Sequence, residues 1–188
     1  MTDVYAHLRT DETLSRLIDE HGEIPLERAE DPFARLVTAI INQQLSVQSA
    51  AAIRGRLFDR YEITPDGIRA ADEDGLRDVG LSGQKIRYVR SIADHFDDGI
   101  SHDYFAEMTD EEVIDDLTEI TGVGVWTAKM FLMSVLARED VFPVEDLGIR
   151  NGMAKLYALE AEPAMVEKAE DWRPYRSYAS RYIWRAID

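Results

Sequence analysis

Apolar residues recur along most of the chain at intervals of three and four positions, which places them on one face of an α-helix. No stretch of strand length alternates β-branched with polar residues. The clearest stripe follows a helix start at Asp31 and Pro32, where aspartate can cap a helix and proline fits its first turn. Its apolar members are Phe33, Leu36, Val37, Ile40 and Ile41. The pattern predicts an all-α protein.

Capping residues divide the rest of the chain into further helices. They predict helix starts at Thr10-Asp11, at Ser46 and at a capping box that begins with Thr109. Helices are expected at about 11–20, 32–41, 47–58, 65–71, 73–79, 84–96, 110–120, 127–137, 149–159, 163–171 and 175–186. We interpret residues 1–188 as one domain, with one lobe at about 30–137 and a second lobe of 138–188 packed with 1–29.

The charge of the chain is unusual for a protein that binds nucleic acid. It has 37 acidic and 21 basic residues, a net charge of -16, and only four of the basic residues are lysine. Such a balance normally argues against phosphate binding. The alternative is adaptation to multimolar salt, as in halophilic archaea, where acidic surfaces stay hydrated and repulsion is screened. The acidic residues are dispersed along the chain, which favours this second interpretation.

Several classes of protein are disfavoured by composition. No apolar run approaches the roughly 20 residues that span a bilayer, and the N-terminal segment has neither a basic nor an apolar region typical of a signal peptide. The chain has no cysteine, which excludes disulfides, an iron–sulfur cluster and thiolate zinc sites. The four histidines lack metal-ligand spacing. We expect a cytoplasmic monomer that does not bind membranes.

A glycine pair, Gly122 and Gly124 on either side of Val123, lies between two helical patterns. Glycines at this spacing allow a sharp turn and expose N–H groups at the start of the next helix, where a phosphate oxygen fits. The same pair would also suit an ordinary tight turn between helices. The pair alone therefore does not decide the function.

Other segments occur in a specific order around this hairpin. Asp146 follows 22 residues after Gly124, in the sequence FPVEDLGI. Further matching stretches are IINQQLS from Ile40, GQKIR from Gly83 and WRPYRSYA from Trp172. Together with the hairpin and Trp184, they resemble the helix-hairpin-helix, Gly/Pro-rich, aspartate (HhH-GPD) superfamily of DNA glycosylases over roughly residues 30–188. Within it they are most similar to the DNA-3-methyladenine glycosylase II group.

This resemblance implies a two-lobed all-α fold with a cleft between the lobes, and double-stranded DNA containing damaged bases as the partner. It assigns Asp146 as the catalytic carboxylate, which would stabilise the oxocarbenium-like sugar as the glycosidic bond breaks. Trp126 and Tyr175 match positions whose aromatic faces would hold a flipped, cationic alkylated base. Met130 occupies a third pocket position, where the resembled enzyme has tyrosine. Ordinary core packing remains an alternative for both aromatic residues.

One position distinguishes subfamilies. Bifunctional members such as endonuclease III have a lysine two residues after the second hairpin glycine, and its amine attacks the sugar and leads to strand cleavage. This chain has Trp126 there. Without that nucleophile, the resemblance implies a monofunctional glycosylase without lyase activity. Lys129, three residues further along the predicted helix, is not expected to replace it.

The resemblance also assigns the DNA contacts. Gly122, Val123, Gly124 and Thr127 would bind a phosphate, and Gln44 would be the wedge that fills the space left by the flipped base, with Leu45 as the alternative. The polar residues around Gln44 could instead only end one helix and begin another. The backbone carbonyls of Thr118, Ile120 and Val123 would hold Na⁺ or K⁺, and no cofactor is required for catalysis.

Three alternatives remain open at this point. The same fold could have mismatch or uracil-type base specificity, because pocket side chains decide the base. It could be a non-catalytic helix-hairpin-helix module that only binds DNA. It could also be a structural acidic helical protein.

Overall fold

A computed structural model describes residues 3–97 and 100–187, and every regular element within those ranges is helical. This confirms the all-α prediction. In the described residues the α-helices are α1 Val4–Leu8, α2 Glu12–His21, α3 Pro32–Asn42, α4 Val47–Arg60, α5 Pro65–Ala70, α6 Glu73–Asp78, α7 Gly83–His95, α8 Asp110–Thr118, α9 Val125–Ser134, α10 Leu147–Tyr157, α11 Glu162–Ala169 and α12 Arg176–Arg185. Short 3₁₀ helices cover Asp103–Phe105 and Glu170–Trp172. No described helix is long and apolar enough to cross a bilayer.

The helix starts follow the capping residues that the sequence indicates. The side chains of Asp11, Asp31 and Ser46 accept backbone N–H groups at the starts of α2, α3 and α4. Thr109 and Glu112 form the reciprocal capping box of α8. These side chains satisfy N–H groups that have no partner inside the helix, so the predicted starts are confirmed. Helix α1 was not predicted, because five residues are too few to show a period.

The chain divides into two compact units. One, which we call the hairpin unit, is residues 29–131; the other, the aspartate unit, is residues 1–28 with 132–188. Within the hairpin unit, α7 packs against α3, α5 and α6. Leu36 and Ile40 of α3 and Val89 and Ile92 of α7 are completely or almost completely buried there. Helix α7 is therefore the central support of this unit.

In the aspartate unit, α12 packs against α10 and α2. Its Tyr182 is completely buried, donates a hydrogen bond to the Gly22 carbonyl (2.8 Å) and accepts one from the Ile24 N–H (3.2 Å). The segment that follows α2 is thereby fixed to α12.

A buried ion pair stabilises the same unit. Only 7% of the Asp11 side chain is exposed, and its carboxylate contacts the Lys168 ammonium at 2.8 Å. The Tyr157 hydroxyl (3.0 Å) and the Trp172 indole N–H (3.2 Å) donate to the two Asp11 oxygens. Burial would raise the pKa of the Asp11 carboxyl, but the Lys168 ammonium and the N–H donors of Leu14 and Trp172 hold that pKa below its ordinary value.

We expect Asp11→Ala to lower the free energy of unfolding by about 3 kcal/mol, because it removes the buried carboxylate partner of the Lys168 ammonium and the cap of α2. Urea denaturation measures this. Asp171→Ala is the matched control: Asp171 also contacts Lys168, at 3.1 Å, but is 67% exposed, so its loss should cost less than about 1 kcal/mol. Equal losses for both variants would contradict the assignment.

The sign of the pH dependence follows from the lowered pKa. The folded-state pKa of Asp11 lies below the reference value of 3.8, so the stabilisation is present above that pH. It is lost as the pH falls from 3.8 through the folded pKa. The difference in stability between the wild-type chain and Asp11→Ala should therefore shrink below that pH.

Candidate functional site

The hairpin, residues 119–124, connects α8 to α9. Gly122 has a φ of 98°, a conformation that side-chain-bearing residues rarely adopt. A Cβ atom at this position would lie 2.3 Å from Cγ of Tyr88, so the tyrosine ring packs directly against the glycine backbone. The Val123 N–H donates to the Ile120 carbonyl at 3.0 Å. Only glycine fits at position 122.

The second hairpin glycine lies in a different environment. Gly124 is exposed, and a Cβ atom there would meet nothing within 4 Å. Helix α9 begins at the next residue, and the first N–H groups of a helix favour an anion. Thr127 is only 4% exposed, so its hydroxyl does not lie at the surface and a phosphate would meet its backbone N–H. The geometry suits phosphate binding through the backbone.

The α3–α4 turn, residues 43–45, carries both wedge candidates. Gln44 is exposed and has a left-handed φ of 55°, and Leu45 is 39% exposed. The turn does end one helix and begin another, with Ser46 capping α4, but both side chains are accessible. The Gln43 side-chain amide donates to the Gly122 carbonyl at 3.1 Å. The structure therefore brings the turn and the hairpin together.

Two stretches of the chain around the turn and the hairpin contain no charged residue. Residues 36–53 and 120–128 contain no Asp, Glu, Lys or Arg, although 31% of the chain is charged. Several of these residues are exposed, including Gln44, Val47, Gly124 and Trp126. A polyanion that approached these two stretches would meet no carboxylate within them, which reduces short-range repulsion despite the net charge of -16.

Asp146 lies in the aspartate unit as the N-cap of α10. Its Oδ1 accepts two hydrogen bonds, from the Ile149 N–H at 3.0 Å and from the Trp184 indole N–H at 2.8 Å. The Asp146 N–H donates to the Pro143 carbonyl at 2.9 Å. These contacts fix the half-buried carboxylate at a helix N-terminus, where negative charge is favourable.

Two features of this site were missed by sequence reasoning. Helix α10 was predicted from Ile149 but begins at Leu147, because Asp146 caps it. Aspartate before a helical pattern is a capping signal, so this role was detectable. The contact from Trp184 crosses 38 positions, and nothing in the local pattern indicates it. Gly148 supports the arrangement, since a Cβ atom there would lie 2.9 Å from Asp146 Oδ1.

The three predicted pocket residues are divided between the units. Trp126, which is 40% exposed, and Met130, which is half-buried, lie one turn apart on α9 and so share a face in the hairpin unit. Tyr175 lies in the aspartate unit just before α12. Its ring packs edge-on against His7 (5.5 Å between ring centres) and Tyr178 (6.2 Å). Tyr175 thus belongs to an aromatic cluster of its unit.

The predicted cation site consists of backbone oxygens around the end of α8. The Ile120 carbonyl accepts the Val123 N–H but has a second lone pair. The Thr118 hydroxyl donates to the Ile114 carbonyl at 2.8 Å, so this side chain is engaged within its own helix. Backbone carbonyl oxygens are chemically suited to an alkali cation.

Comparison with known proteins identifies relatives across nearly the whole chain. The family model of the HhH-GPD superfamily of base excision DNA repair proteins matches residues 37–174. DNA-3-methyladenine glycosylase 1 of Schizosaccharomyces pombe is 33% identical over 98% of this chain, which covers 87% of that protein. A DNA-3-methyladenine glycosylase of Saccharomyces cerevisiae is 34% identical over 85% of this chain, which spans only 58% of that relative.

A solved structure shows the same similarity. The S. pombe 3-methyladenine DNA glycosylase Mag1, in complex with abasic DNA, superimposes with a TM-score of 0.86 at 32% identity. The match covers 98% of this chain and 96% of that one.

Proposed function

The chain belongs to the HhH-GPD superfamily of base excision DNA repair proteins, and on that premise we propose that it is a DNA glycosylase that releases alkylated bases of the 3-methyladenine type. The names of its relatives support this base class. The observation that carries the proposal is the carboxylate of Asp146, held on one oxygen by two N–H donors. We also propose that the chain is most similar to the type II group of these enzymes.

Asp146 would act by electrostatic stabilisation. Breaking an N-glycosidic bond builds positive charge on the sugar, and a carboxylate already fixed in place lowers the energy of that state without reorganising. The Trp184 and Ile149 donors hold Oδ1, so the plane of the carboxylate is set before substrate arrives. The same carboxylate could orient the attacking water. An alkylated purine is already cationic and leaves readily, so little further acid catalysis is needed.

We infer that the enzyme hydrolyses the bond without cutting the strand. Strand cleavage needs an amine nucleophile, and the family position for it is occupied here by Trp126. The Trp126 face, with Met130 one turn away, would instead contact the flipped base. We propose Tyr175 as a further pocket residue.

The DNA would be held by the hairpin and the α3–α4 turn. Backbone N–H groups at the start of α9 would bind a phosphate, and Gln44 would fill the vacated position in the stack, with Leu45 as the alternative. A Na⁺ or K⁺ ion held by the carbonyls of Thr118, Ile120 and Val123 would supply positive charge beside that phosphate. We propose a monomer that acts on double-stranded DNA in the cytoplasm, at the nucleoid.

We propose that the acidic composition is an adaptation to high salt. Adaptation to multimolar salt, as in a halophilic archaeon, would explain a DNA-binding protein with a net charge of -16 and four lysines. When backbone amides bind a phosphate, they displace fewer counterions from the DNA than a lysine-rich surface does.

DNA binding should therefore persist in molar KCl. We expect the logarithm of the association constant to fall with the logarithm of salt concentration with a slope no steeper than about -3, since few side-chain cations contact phosphate. Fluorescence anisotropy of an abasic-site duplex across a KCl series measures this slope. A slope of about -6 or steeper, typical of proteins that make many lysine and arginine contacts, would contradict the amide-based interpretation.

Base specificity is tested by comparing substrates in high KCl. Duplexes that contain 3-methyladenine, uracil or a mismatched normal base are incubated with the protein, and released bases are separated by chromatography. Release from the methylated duplex alone, or at least tenfold faster than from the others, supports the proposal. Faster release of uracil or of a mismatched base favours the alternative specificity, and tight binding without any release favours a non-catalytic module.

A further inference from the structure

Helix α7 contacts the α3–α4 turn through one lysine. The Lys85 ammonium donates to the Ile41 carbonyl at 2.6 Å and to the Gln43 carbonyl at 2.8 Å. These carbonyls lie at the C-terminal end of α3, which is the negative end of the helix dipole. The last carbonyl groups of a helix have no N–H partner within it. Partial burial lowers the pKa of Lys85 below its ordinary value. One of only four lysines in the chain is therefore used to fix the backbone of this turn.

The same helix contacts the hairpin. The Tyr88 ring packs against the Gly122 backbone so closely that no Cβ atom would fit between them. The Ser91 hydroxyl accepts the Thr121 N–H at 3.1 Å. The Gln84 amide donates to the Tyr88 hydroxyl at 2.5 Å, which orients the ring. Two consecutive hairpin residues are thus held by α7.

Lys85, Tyr88 and Ser91 are spaced three residues apart, which places them along one side of α7. Gln43 completes a closed set of contacts, because its carbonyl accepts from Lys85 and its side-chain amide donates to the Gly122 carbonyl. A cavity of about 320 Å³ lies within this set, lined by residues of the turn, of α7 and by Gly122. The turn and the hairpin are therefore linked both directly and through α7.

We propose that Lys85 is a positioning residue for base flipping: it holds the α3–α4 turn in register with the hairpin, so that the wedge meets the stack where the hairpin has bound the phosphate. This inference rests on the proposed function, since it gives the turn its wedge role. Among the described residues, the Lys85 ammonium donates to two backbone carbonyls of its own chain. Its loss should impair flipping more than it impairs binding.

The test compares flipping with binding in Lys85→Met. A duplex carrying 2-aminopurine beside the alkylated base reports flipping, because the emission of 2-aminopurine rises when its neighbour leaves the stack. We expect the variant to lose most of this rise and to excise at least about tenfold more slowly in single-turnover assays, as expected for loss of charge-assisted hydrogen bonds. Its affinity for a duplex that contains an abasic site should change less than about threefold, because the hairpin amides remain.

Lys155→Met is the matched control. Lys155 also donates to a backbone carbonyl, that of Ala186 at 2.6 Å, but in the aspartate unit. The substitution removes the same charge from the chain, so it controls for the change in net charge. This variant should flip and excise as the wild-type protein does.

Gln43→Met is a second variant that removes the link between the turn and Gly122 while leaving Lys85 in place, and it should also reduce flipping selectively.

The outcomes separate this inference from the proposed function. Selective loss of flipping in Lys85→Met, or in Gln43→Met if the first variant does not fold, supports the positioning role. Unchanged flipping in the variant, or an equal loss of affinity for the abasic duplex, overturns it. A wild-type protein that flips the base but releases none contradicts the proposed function and leaves the flipping comparison valid. If the wild-type protein neither flips nor releases a base, both are wrong.

Discussion

Asp146→Asn should abolish most base release while leaving the protein folded and able to bind DNA. Asparagine caps helices as well as aspartate does, and its side-chain oxygen can still accept the N–H groups of Ile149 and Trp184. The substitution therefore removes the negative charge with little change in geometry. We expect the single-turnover rate of 3-methyladenine release to fall by about 10²- to 10³-fold, the range found when a preorganised electrostatic contact to a transition state is removed.

Glu145→Gln is the matched control for this prediction, because it removes one carboxylate charge from the adjacent residue. Its rate of base release should stay within about threefold of the wild-type rate, consistent with a substitution away from the reacting groups. Thermal denaturation and affinity for an abasic-site duplex, measured for both variants, check folding and binding. If the two variants lose activity equally, the specific role of Asp146 is wrong.

Gly122→Ala should disrupt the hairpin. Its φ of 98° is unfavourable for alanine, and the added methyl group would lie 2.3 Å from a ring carbon of Tyr88. The ring cannot retreat without disturbing its packing against the hairpin and its hydrogen bond from Gln84. We expect the free energy of unfolding to fall by about 2 to 4 kcal/mol and the affinity for an abasic-site duplex to fall at least about tenfold.

Gly124→Ala separates stability from DNA contact. A methyl group at Gly124 meets open space within this structure, so the free energy of unfolding should change by less than about 0.5 kcal/mol. If DNA approaches the hairpin backbone closely, the same methyl group will nevertheless weaken binding. Equal stability of the Gly122→Ala variant and the wild-type protein, measured by urea denaturation, would contradict the packing described for Tyr88.

Local signals in the sequence were sufficient for most helix starts. Asp11, Ser46 and Thr109 each stand before an apolar period, and each caps a helix because its side chain satisfies a nearby N–H. Gly122 likewise marked the hairpin, since its positive φ is a conformation that glycine adopts without strain. These features depend on residues within a few positions of each other.

Contacts between distant segments could not be predicted in the same way. Lys85 binds carbonyls 42 and 44 positions away, and nothing in the sequence around it distinguishes it from a solvated surface lysine. The Trp184 contact to Asp146 depends on how α10 and α12 pack. Thr127 is buried while its neighbour Trp126 is 40% exposed, which depends on how α9 packs. In each case the packing of helices decides where the side chain points.

The most direct measurement is the analysis of methylated duplex DNA after incubation with the wild-type protein in high KCl. Free bases are identified by chromatography, and strand integrity is compared with and without alkali treatment. We predict free 3-methyladenine, together with abasic sites that break only in alkali, because the protein has a fixed carboxylate at Asp146 and tryptophan at the lyase position. Intact methylated DNA with no released base, or strand breaks formed without alkali, would contradict this function.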